Sequence, residues 1–344
     1  MPDAKTRPAV MADVARRAGV SHQTVSRVLN DHPSVRPETK ERVLRAIDEL
    51  AYRRNSSARA LVTRRTNTLG VVAFDTTLYG PASTLFGIEQ AAREAGYFIS
   101  IVSLKAITSK SVSEAFDYLA DQSVDGLIVI ATQRSSAEAL TALPGDMPIV
   151  AVEGGEAPGR PVVCVDQYAG ATAATKHLLD LGHETVWHVS GPLDWLEAEA
   201  RLDAWRATLE AAAAPVPDVL HGDWSPATGY QAGRQLARRH ATHDDVTAVF
   251  VANDQMALGL LRAFQEAGIQ VPKEVSIVGF DDIPEAAYFP PPLTTVRQDF
   301  AAVGRDSIAV LLDRIENGPS DAPRRVVAPA TLVVRASTAA PPTN

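Results

Sequence analysis

The chain has 344 residues, of which 46% are hydrophobic and 22% charged, as in ordinary soluble globular proteins. No stretch approaches the roughly 18 uninterrupted apolar residues of a membrane-spanning helix, and the amino-terminal residues lack the apolar core of a secretory signal. We therefore expect a cytoplasmic protein with no membrane partner and with two or three domains.

Charge is divided unevenly along the chain. Residues 1–66 contain 14 Lys and Arg against 7 Asp and Glu, whereas the remaining residues contain 19 against 34. A basic head thus precedes an acidic body, although the net charge of the whole chain is −8. This asymmetry indicates that the head binds a polyanion. A basic face that is merely solvated is the alternative from charge alone.

The head contains the stretch MADVARRAGVSHQTVSRVLN, in which two short helices are predicted. Gly19 interrupts the first apolar stripe, and Ser21 is a good N-cap for the second helix, a pairing typical of the helix-turn-helix motif. A third helix is expected to begin near Pro37 and to close a small all-α domain. The inward positions of the three helices are Met11, Val14, Ala15 and Ala18, then Val25, Val28 and Leu29, then Val43, Ile47 and Leu50.

The outward face of the second helix carries only hydrogen-bonding side chains: His22, Gln23, Thr24, Ser26 and Arg27. Such a face suits the major groove of DNA, because Gln can pair with adenine, Arg with guanine and hydroxyl groups with phosphate.

The body, from residue 68 onward, alternates apolar strand-like runs with helical stretches. This alternation predicts parallel sheets covered by helices on both faces, arranged as two similar lobes. Ligands of parallel sheets bind beyond the carboxyl ends of the strands. Two such ends are polar: VFVAND ends in Asn253 and Asp254, and SIVGFDD in Asp281 and Asp282.

The head stretch DVARRAGVSHQTVSRVLN resembles the DNA-binding signature of the lactose-repressor (LacI/GalR) family, whose second helix contacts the operator. The resemblance implies DNA contacts from Ser21 onward along that helix, on the outward residues named above. Val10 departs from the family's usual threonine cap, which predicts a loss of a few tenths to about 1 kcal/mol in helix stability. His22 occupies a position that varies with operator sequence.

The stretch RRNSSARALVTRRT corresponds in this family to a hinge that becomes helical on the operator. The resemblance implies that Leu61 wedges into the minor groove beside its twin from a second protomer, while arginines hold phosphates. Asn55 is expected to cap the short helix, and Ala58 is small enough for two hinges to pack. A flexible spacer is the alternative, and Val62 has no separate role.

The body resembles the two-lobed periplasmic-binding-protein-like sensor (type I) of the same family. The resemblance rests on GPLDWLEAEARLDAW, HGDWSPATGY, VANDQMALG, GFDDIPEAAYFPPPLTTVRQDF and LVVRAST. It implies a sugar effector bound between the lobes by Arg201, Trp224, Asn253, Asp281, Gln298 and Phe300. A forked donor, a carboxylate, an amide and a flat aromatic are the groups that hydroxyls and a sugar ring require.

The resemblance to the sensor of this family is weaker in the first lobe. Where lactose-responsive members have a serine after the first strand and an aspartate after the fourth, this chain has Phe74 and Glu153. Asp75 is a further candidate acceptor for the effector, which is a mono- or disaccharide such as a galactoside or glucoside. Solvated loop carboxylates are the alternative for Asp75 and Glu153.

The predicted division is a head at 1–54, a hinge and linker at 55–67 and a body at 68–344. The first lobe is expected at about 68–166 and 298–326, and the second at about 167–297 and 327–338. Cys164, the single cysteine, is expected in a buried strand without a redox role. No clustered His and Cys indicate a metal, and no cofactor is expected.

The predicted function is a repressor of sugar-utilisation genes that binds a palindromic operator as a homodimer and is released by sugar. The alternative is a regulator whose ligand acts as a corepressor and strengthens DNA binding. A transport protein would explain the body but not the basic head. An enzyme is disfavoured, because HExxH, GxSxG and Walker motifs are missing, and because Asp281 and Asp282, as neighbours at a strand end, should diverge.

Overall fold

The computed structural model describes residues 9–52, 65–104, 108–141, 143–145, 147–153, 159–243, 245–318 and 324–342. The chain forms two compact units, Met1–Thr66 and Asn67–Asn344. The hinge candidates Asn55, Ala58, Leu61 and Val62 lie outside the described residues.

The described residues of the head unit form three helices, α1 (Met11–Ala18), α2 (His22–Leu29) and α3 (Pro37–Glu49), as predicted. Gly19 ends α1 with a left-handed φ of 65°, a conformation that glycine adopts without steric cost. Ser21 Oγ accepts a hydrogen bond of 3.1 Å from the backbone N–H of Thr24 and so caps α2. The core of the unit is formed by Val14, Ala15, Ala18, Val25, Val28, Val43, Ala46 and Tyr52.

The amino terminus of α1 is capped from inside the helix. Val10 makes no side-chain cap, in keeping with the lost threonine. The backbone N–H of Val10 instead donates to Asp13 Oδ2 at 3.0 Å. Asp13 also places a negative charge in the first turn, where it opposes the positive end of the helix dipole.

The body unit contains twelve strands among the described residues. In chain order they are β1 (Thr68–Phe74), β2 (Phe98–Leu104), β3 (Gly126–Ile130), β4 (Ile149–Val152), β5 (Val162–Val165), β6 (Trp187–Ser190), β7 (Leu220–His221), β8 (Ala248–Val251), β9 (Ser276–Asp281), β10 (Thr294–Gln298), β11 (Arg325–Ala328) and β12 (Ala330–Val333). The α-helices are α4 (Tyr79–Glu94), α5 (Ser109–Asp121), α6 (Arg134–Thr141), α7 (Gln167–Asp180), α8 (Leu196–Ala211), α9 (Pro226–His243), α10 (Asp254–Ala267) and α11 (Phe300–Asn317), with a 3₁₀ turn at Pro284–Tyr288.

The strands form two six-stranded sheets, one in each lobe. The first lobe has the order β11-β5-β4-β3-β1-β2 and the second β12-β10-β9-β8-β6-β7. Strands such as β3, β4 and β8 are buried along their whole length, because helices cover both faces. The chain therefore crosses between the lobes three times, after β5, after β10 and after β11.

One strand departs from the predicted parallel arrangement. In the described sheets every pair is parallel except β12 with β10, which is antiparallel. The turn from β11 into β12 is a single residue, Pro329, so the chain passes directly from one sheet edge to the other. A lone antiparallel edge strand of this kind is common in doubly wound sheets.

In the described part of the chain, no helix is both long and apolar enough to cross a membrane, and no group of three or more His, Cys, Asp or Glu residues is placed to hold a metal ion. Cys164 lies buried in β5, where burial raises the pKa of its thiol to about 11.

Two glycines bring α4 and α11 into backbone contact in the first lobe. A Cβ atom added to Gly304 would lie 2.2 Å from the backbone carbon of Gly87, and one added to Gly87 would lie 2.4 Å from the backbone oxygen of Phe300. This close approach fixes the start of α11, which Asp299 caps by accepting from Ala302 N at 2.8 Å.

We expect Gly304→Ala to lower the free energy of unfolding by about 1–3 kcal/mol, because an overpacked contact must separate the two helices. Gly80→Ala on α4 is the matched control, since a Cβ there meets nothing within 4 Å. It should leave stability unchanged or raise it by up to about 1 kcal/mol. Urea denaturation of both variants measures the difference; equal effects would show that the contact is not tight.

Candidate functional site

A cavity of about 260 Å³ lies between the two lobes of the body, close to the lower end of the roughly 300–1,000 Å³ of typical ligand pockets. It is bounded by the carboxyl ends of β3, β4, β9 and β10 and by the starts of α4, α7, α8 and α11. Its lining includes seven of the predicted effector residues: Glu153, Arg201, Trp224, Asn253, Asp281, Gln298 and Phe300.

Arg201 is held in a closed ring of side-chain contacts. Its Nε donates to Gln167 Oε1 at 2.9 Å, and Gln167 Nε2 donates to Gln298 Oε1 at 2.8 Å. Gln298 Nε2 donates in turn to Asp281 Oδ1 at 2.6 Å, and Asp281 returns to Arg201 through an ion pair of 3.7 Å. Gln167 and Gln298 stand at two of the chain crossings between the lobes.

The guanidinium of Arg201 is desolvated and stacked. It lies 3.8 Å from the ring centroid of Phe280 and 5.5 Å from that of Trp224, and Arg201 is only 4% exposed. Burial lowers its pKa, while Asp281 opposes the change. A planar cation fixed in this way can present its fork to ligand oxygens without reorganisation.

Asn253 positions Trp224. Asn253 Oδ1 accepts from Met256 N at 2.9 Å and so caps α10, and its Nδ2 donates to the backbone oxygen of Trp224 at 3.1 Å. Trp224 has a left-handed φ of 72° and meets Trp195 edge to face at 5.6 Å. Because the hydrogen bonds of Asn253 go to the protein, its first effect is to present the indole to the cavity.

The cavity wall contains carboxyl groups whose burial changes their proton affinity. Burial raises the pKa of Asp281 to about 6, with Arg201 and Gln298 opposing. Burial likewise raises the pKa of Glu153 to about 7, against a hydrogen bond of 3.2 Å from Val165 N. Perturbed acids in a cleft are typical of functional sites.

The lining residues do not include the predicted effector residue Asp75, nor Phe74, which stands in place of the family's serine. Asp75 has a left-handed φ of 41° and accepts from the side chain of Thr77. Phe74 packs against Trp195 of the second lobe at a centroid distance of 6.2 Å. The turn after β1 thus carries Asp75 aside, and Tyr79 faces the cavity instead.

Sequence reasoning missed several polar or aromatic residues of the cavity lining, five of which bear most on its chemistry. They are Tyr79, Thr132, Gln167, Trp195 and Glu197. A signal existed for Glu197, because it precedes Arg201 by four residues and the two therefore share one face of α8. The other four stand at crossings or helix starts, where no periodic pattern marks them.

Within the described part of the chain, three lining residues have buried polar atoms without a hydrogen-bond partner: Thr132 Oγ1, Glu197 Oε2 and Trp224 Nε1. Leaving such a group unpaired costs about 1–3 kcal/mol. A hydroxyl, a carboxylate and an indole N–H together match a ligand with several donors and acceptors.

The raised carboxyl pKa values give a testable pH dependence. The folded chain binds more protons than the unfolded chain between the ordinary Glu value of 4.5 and about 7 at Glu153, so stability is lost as pH rises through that range. We expect Glu153→Gln to flatten this loss and to stabilise the unliganded protein by about 1–3 kcal/mol at pH 8. Glu94→Gln, at an exposed position of α4, should leave the profile unchanged. Melting temperatures between pH 5 and 8 measure both.

On the head, the outward face of α2 is accessible. Ser21, His22, Gln23 and Arg27 are exposed, and Thr24 and Ser26 are half-buried. Within the head, Thr24 Oγ1 lies 2.9 Å from Ser21 Oγ. The face therefore presents its amide, imidazole and guanidinium to solvent.

Fold and site define a class: a helix-turn-helix head joined in sequence to a two-lobed body of the periplasmic-binding-protein type with a polar cavity between its lobes. Residues 10–55 match the family of bacterial regulatory proteins called the lacI family, and residues 175–338 match a periplasmic binding protein-like domain. The chain belongs to the lacI family.

Its relatives match it over almost their whole length. It is 35% identical over 337 residues to the HTH-type transcriptional regulator CelR of Thermobifida fusca, covering 94% of this chain and 96% of CelR. It is 32% identical over 339 residues to the lactose operon repressor of Escherichia coli K12, covering 98% and 93%. A lac repressor dimer bound to operator and the anti-inducer ONPF superposes with a TM-score of 0.85 at 31% identity, covering 97% of this chain and 100% of that one.

Proposed function

We propose that this protein is a DNA-binding transcriptional repressor of sugar-utilisation genes. It binds a palindromic operator as a homodimer through α2, and a sugar in the cavity between the lobes releases it. The lac repressor structure with operator DNA supports the DNA-binding part of the proposal. The CelR complex with cellobiose supports the sugar-binding part; it superposes with a TM-score of 0.70 at 32% identity, over 96% of this chain and 99% of that one. The protein would act in the cytoplasm, where DNA is accessible.

The observation that carries the proposal is the ring of Arg201, Gln167, Gln298 and Asp281. Two members lie on α8 and β9 of the second lobe, whereas Gln167 and Gln298 stand at chain crossings. A ligand that bonds to Arg201 or Asp281 therefore acts on the segments that set the angle between the lobes. It can shift that angle only by its difference in affinity for the two arrangements, typically about 1–3 kcal/mol.

The head supplies the DNA contacts in this proposal. Gln23 and Arg27 reach base edges, and the remaining outward residues of α2 with Ser21 contact phosphates or bases. We assign 1–54 to the head, 55–67 to the hinge and 68–344 to the body. The first lobe takes about 68–166 and 298–326, and the second about 167–297 and 327–338.

Leu61 stays a predicted minor-groove wedge. We expect Leu61→Ala to weaken operator binding by about tenfold or more, because the kink it stabilises is lost, while nonspecific DNA binding and sugar affinity hold. Binding to operator and to scrambled DNA of equal length measures the two effects. Equal loss on both DNAs would refute the wedge.

We infer that the chain binds sugar without cleaving it. Asp281 faces Arg201 and Gln298, whereas Asp282 is paired with Arg297 at 2.6 Å and Arg335 at 2.5 Å. The two carboxylates thus diverge and do not flank one bond. Release of nitrophenol from a panel of nitrophenyl glycosides would contradict this inference.

The experiment for the proposed function combines two measurements. A thermal-shift screen against mono- and disaccharides identifies ligands, because binding to the folded state raises its melting temperature. Each ligand is then added to the complex with DNA from the gene's own upstream region. We expect release of the DNA. Tighter DNA binding would instead identify a corepressor, and DNA binding that no ligand changes would refute the proposal.

A further inference from the structure

A buried carboxylate oxygen that has no hydrogen-bond partner among the described residues lies in the cavity wall. Glu197 stands one turn before Arg201 on α8 and lines the cavity. It is 8% exposed, and no described residue forms a hydrogen bond with its Oε2 atom. Since an unpaired buried carboxylate is costly, a donor from the ligand would stabilise this atom in its charged form.

A second glutamate approaches it from the first lobe. Glu153 follows β4, is also 8% exposed and lines the same cavity. Its carboxylate accepts from Val165 N at 3.2 Å. The two groups are close enough to interact: after burial, the charge of Glu153 is the largest influence that raises the pKa of Glu197.

The cavity has too few cations for its carboxylates. Among the described residues, Glu153, Glu197 and Asp281 line it together with a single cation, Arg201. The guanidinium is engaged by Asp281, by Gln167 and by the backbone oxygen of Ala252. Among the described residues, no ion pair within 4.0 Å joins it to either glutamate, and Arg325 acts on Glu153 more weakly than Arg201 does.

We propose that the effector carries a protonated amine, as a hexosamine or another amino sugar does, and that Glu153 and Glu197 bind this amine. An ammonium offers three donors and a positive charge. A neutral hydroxyl would leave two buried negative charges uncompensated, so that one glutamate would have to take up a proton. Trp195, which also lines the cavity, offers an aromatic ring that attracts a cation. This inference rests on the proposed function of the cavity.

The test compares matched ligands on the full chain by calorimetry at pH 7. The pairs are glucose and glucosamine, galactose and galactosamine, and mannose and mannosamine, each with the N-acetylated amine as a third member. We expect at least one amine to bind about tenfold or more tightly than its neutral and acetylated partners. Glu197→Gln should remove that preference, so that within this variant the amine and its neutral partner bind with equal affinity. Glu210→Gln, at an exposed position of the same helix, should retain it.

The outcomes separate the two proposals. A neutral sugar that binds as tightly as its amine and releases DNA would overturn the amine and leave the repressor standing. An amine that binds through Glu197 without changing DNA affinity would support the amine site and overturn the repressor mechanism. No binding by any member of the panel would overturn the amine proposal.

Discussion

Arg201→Ala should abolish the response to effector, with affinity reduced by more than about 100-fold. The substitution removes the forked donor of the cavity and breaks the ring that joins Gln167, Gln298 and Asp281. Truncating one partner of a buried charge pair costs about 2–5 kcal/mol, much of it from the charge that is left unpaired. Calorimetry with a sugar that binds the wild-type protein measures the loss.

Loss of folding is separated from loss of binding by two further variants. Arg201→Lys keeps a charge near Asp281 but lacks the planar fork, so we expect it to fold and still to bind sugar at least tenfold more weakly, about 1.4 kcal/mol. Arg206→Ala, at an exposed position of the same helix, should bind as the wild type does. Wild-type affinity in Arg201→Lys would mean that charge alone is required there.

Gln23→Ala should cost about 1–3 kcal/mol in operator binding, roughly 5- to 150-fold, because a bidentate contact to a base is lost. Alanine is a better helix former than glutamine and the side chain is exposed, so α2 itself should persist. Affinity for nonspecific DNA of the same length serves as the internal control and should not change.

The contrary result for Gln23 is also well defined. A loss that is equal on operator and nonspecific DNA would assign Gln23 to the phosphate backbone. In that case the salt dependence of binding should distinguish it from Arg27, since only a cation releases counterions when it meets phosphate.

The head was largely predictable because its signals are local. Gly19, Ser21 and Pro37 mark helix ends through their own conformational preferences and caps, and apolar spacing marks the buried faces. The alternation of strands and helices likewise predicted the two lobes. The antiparallel direction of β12 was not predictable, because a strand's pattern is the same in either direction.

The site was predictable only in part. Resemblance and polar strand ends pointed to Arg201, Asn253 and Asp281, and these three residues line one cavity. Asp75 was also predicted, but a left-handed turn at that residue directs the chain away, and it is not among the lining residues. Gln167 was missed because its place in the site depends on how two distant segments meet, which neither composition nor periodicity encodes. Glu197 could have been found from its helical spacing to Arg201.

The central claim is that occupancy of the cavity controls DNA binding. Its most direct test is fluorescence anisotropy of labelled upstream DNA bound to the full chain, while a sugar that stabilises the protein is added. We predict release of the DNA by the wild-type protein at sugar concentrations near the dissociation constant, and retention by Arg201→Ala at the same concentrations. A sugar that binds the cavity of the wild-type protein and leaves its DNA affinity unchanged would contradict the claim.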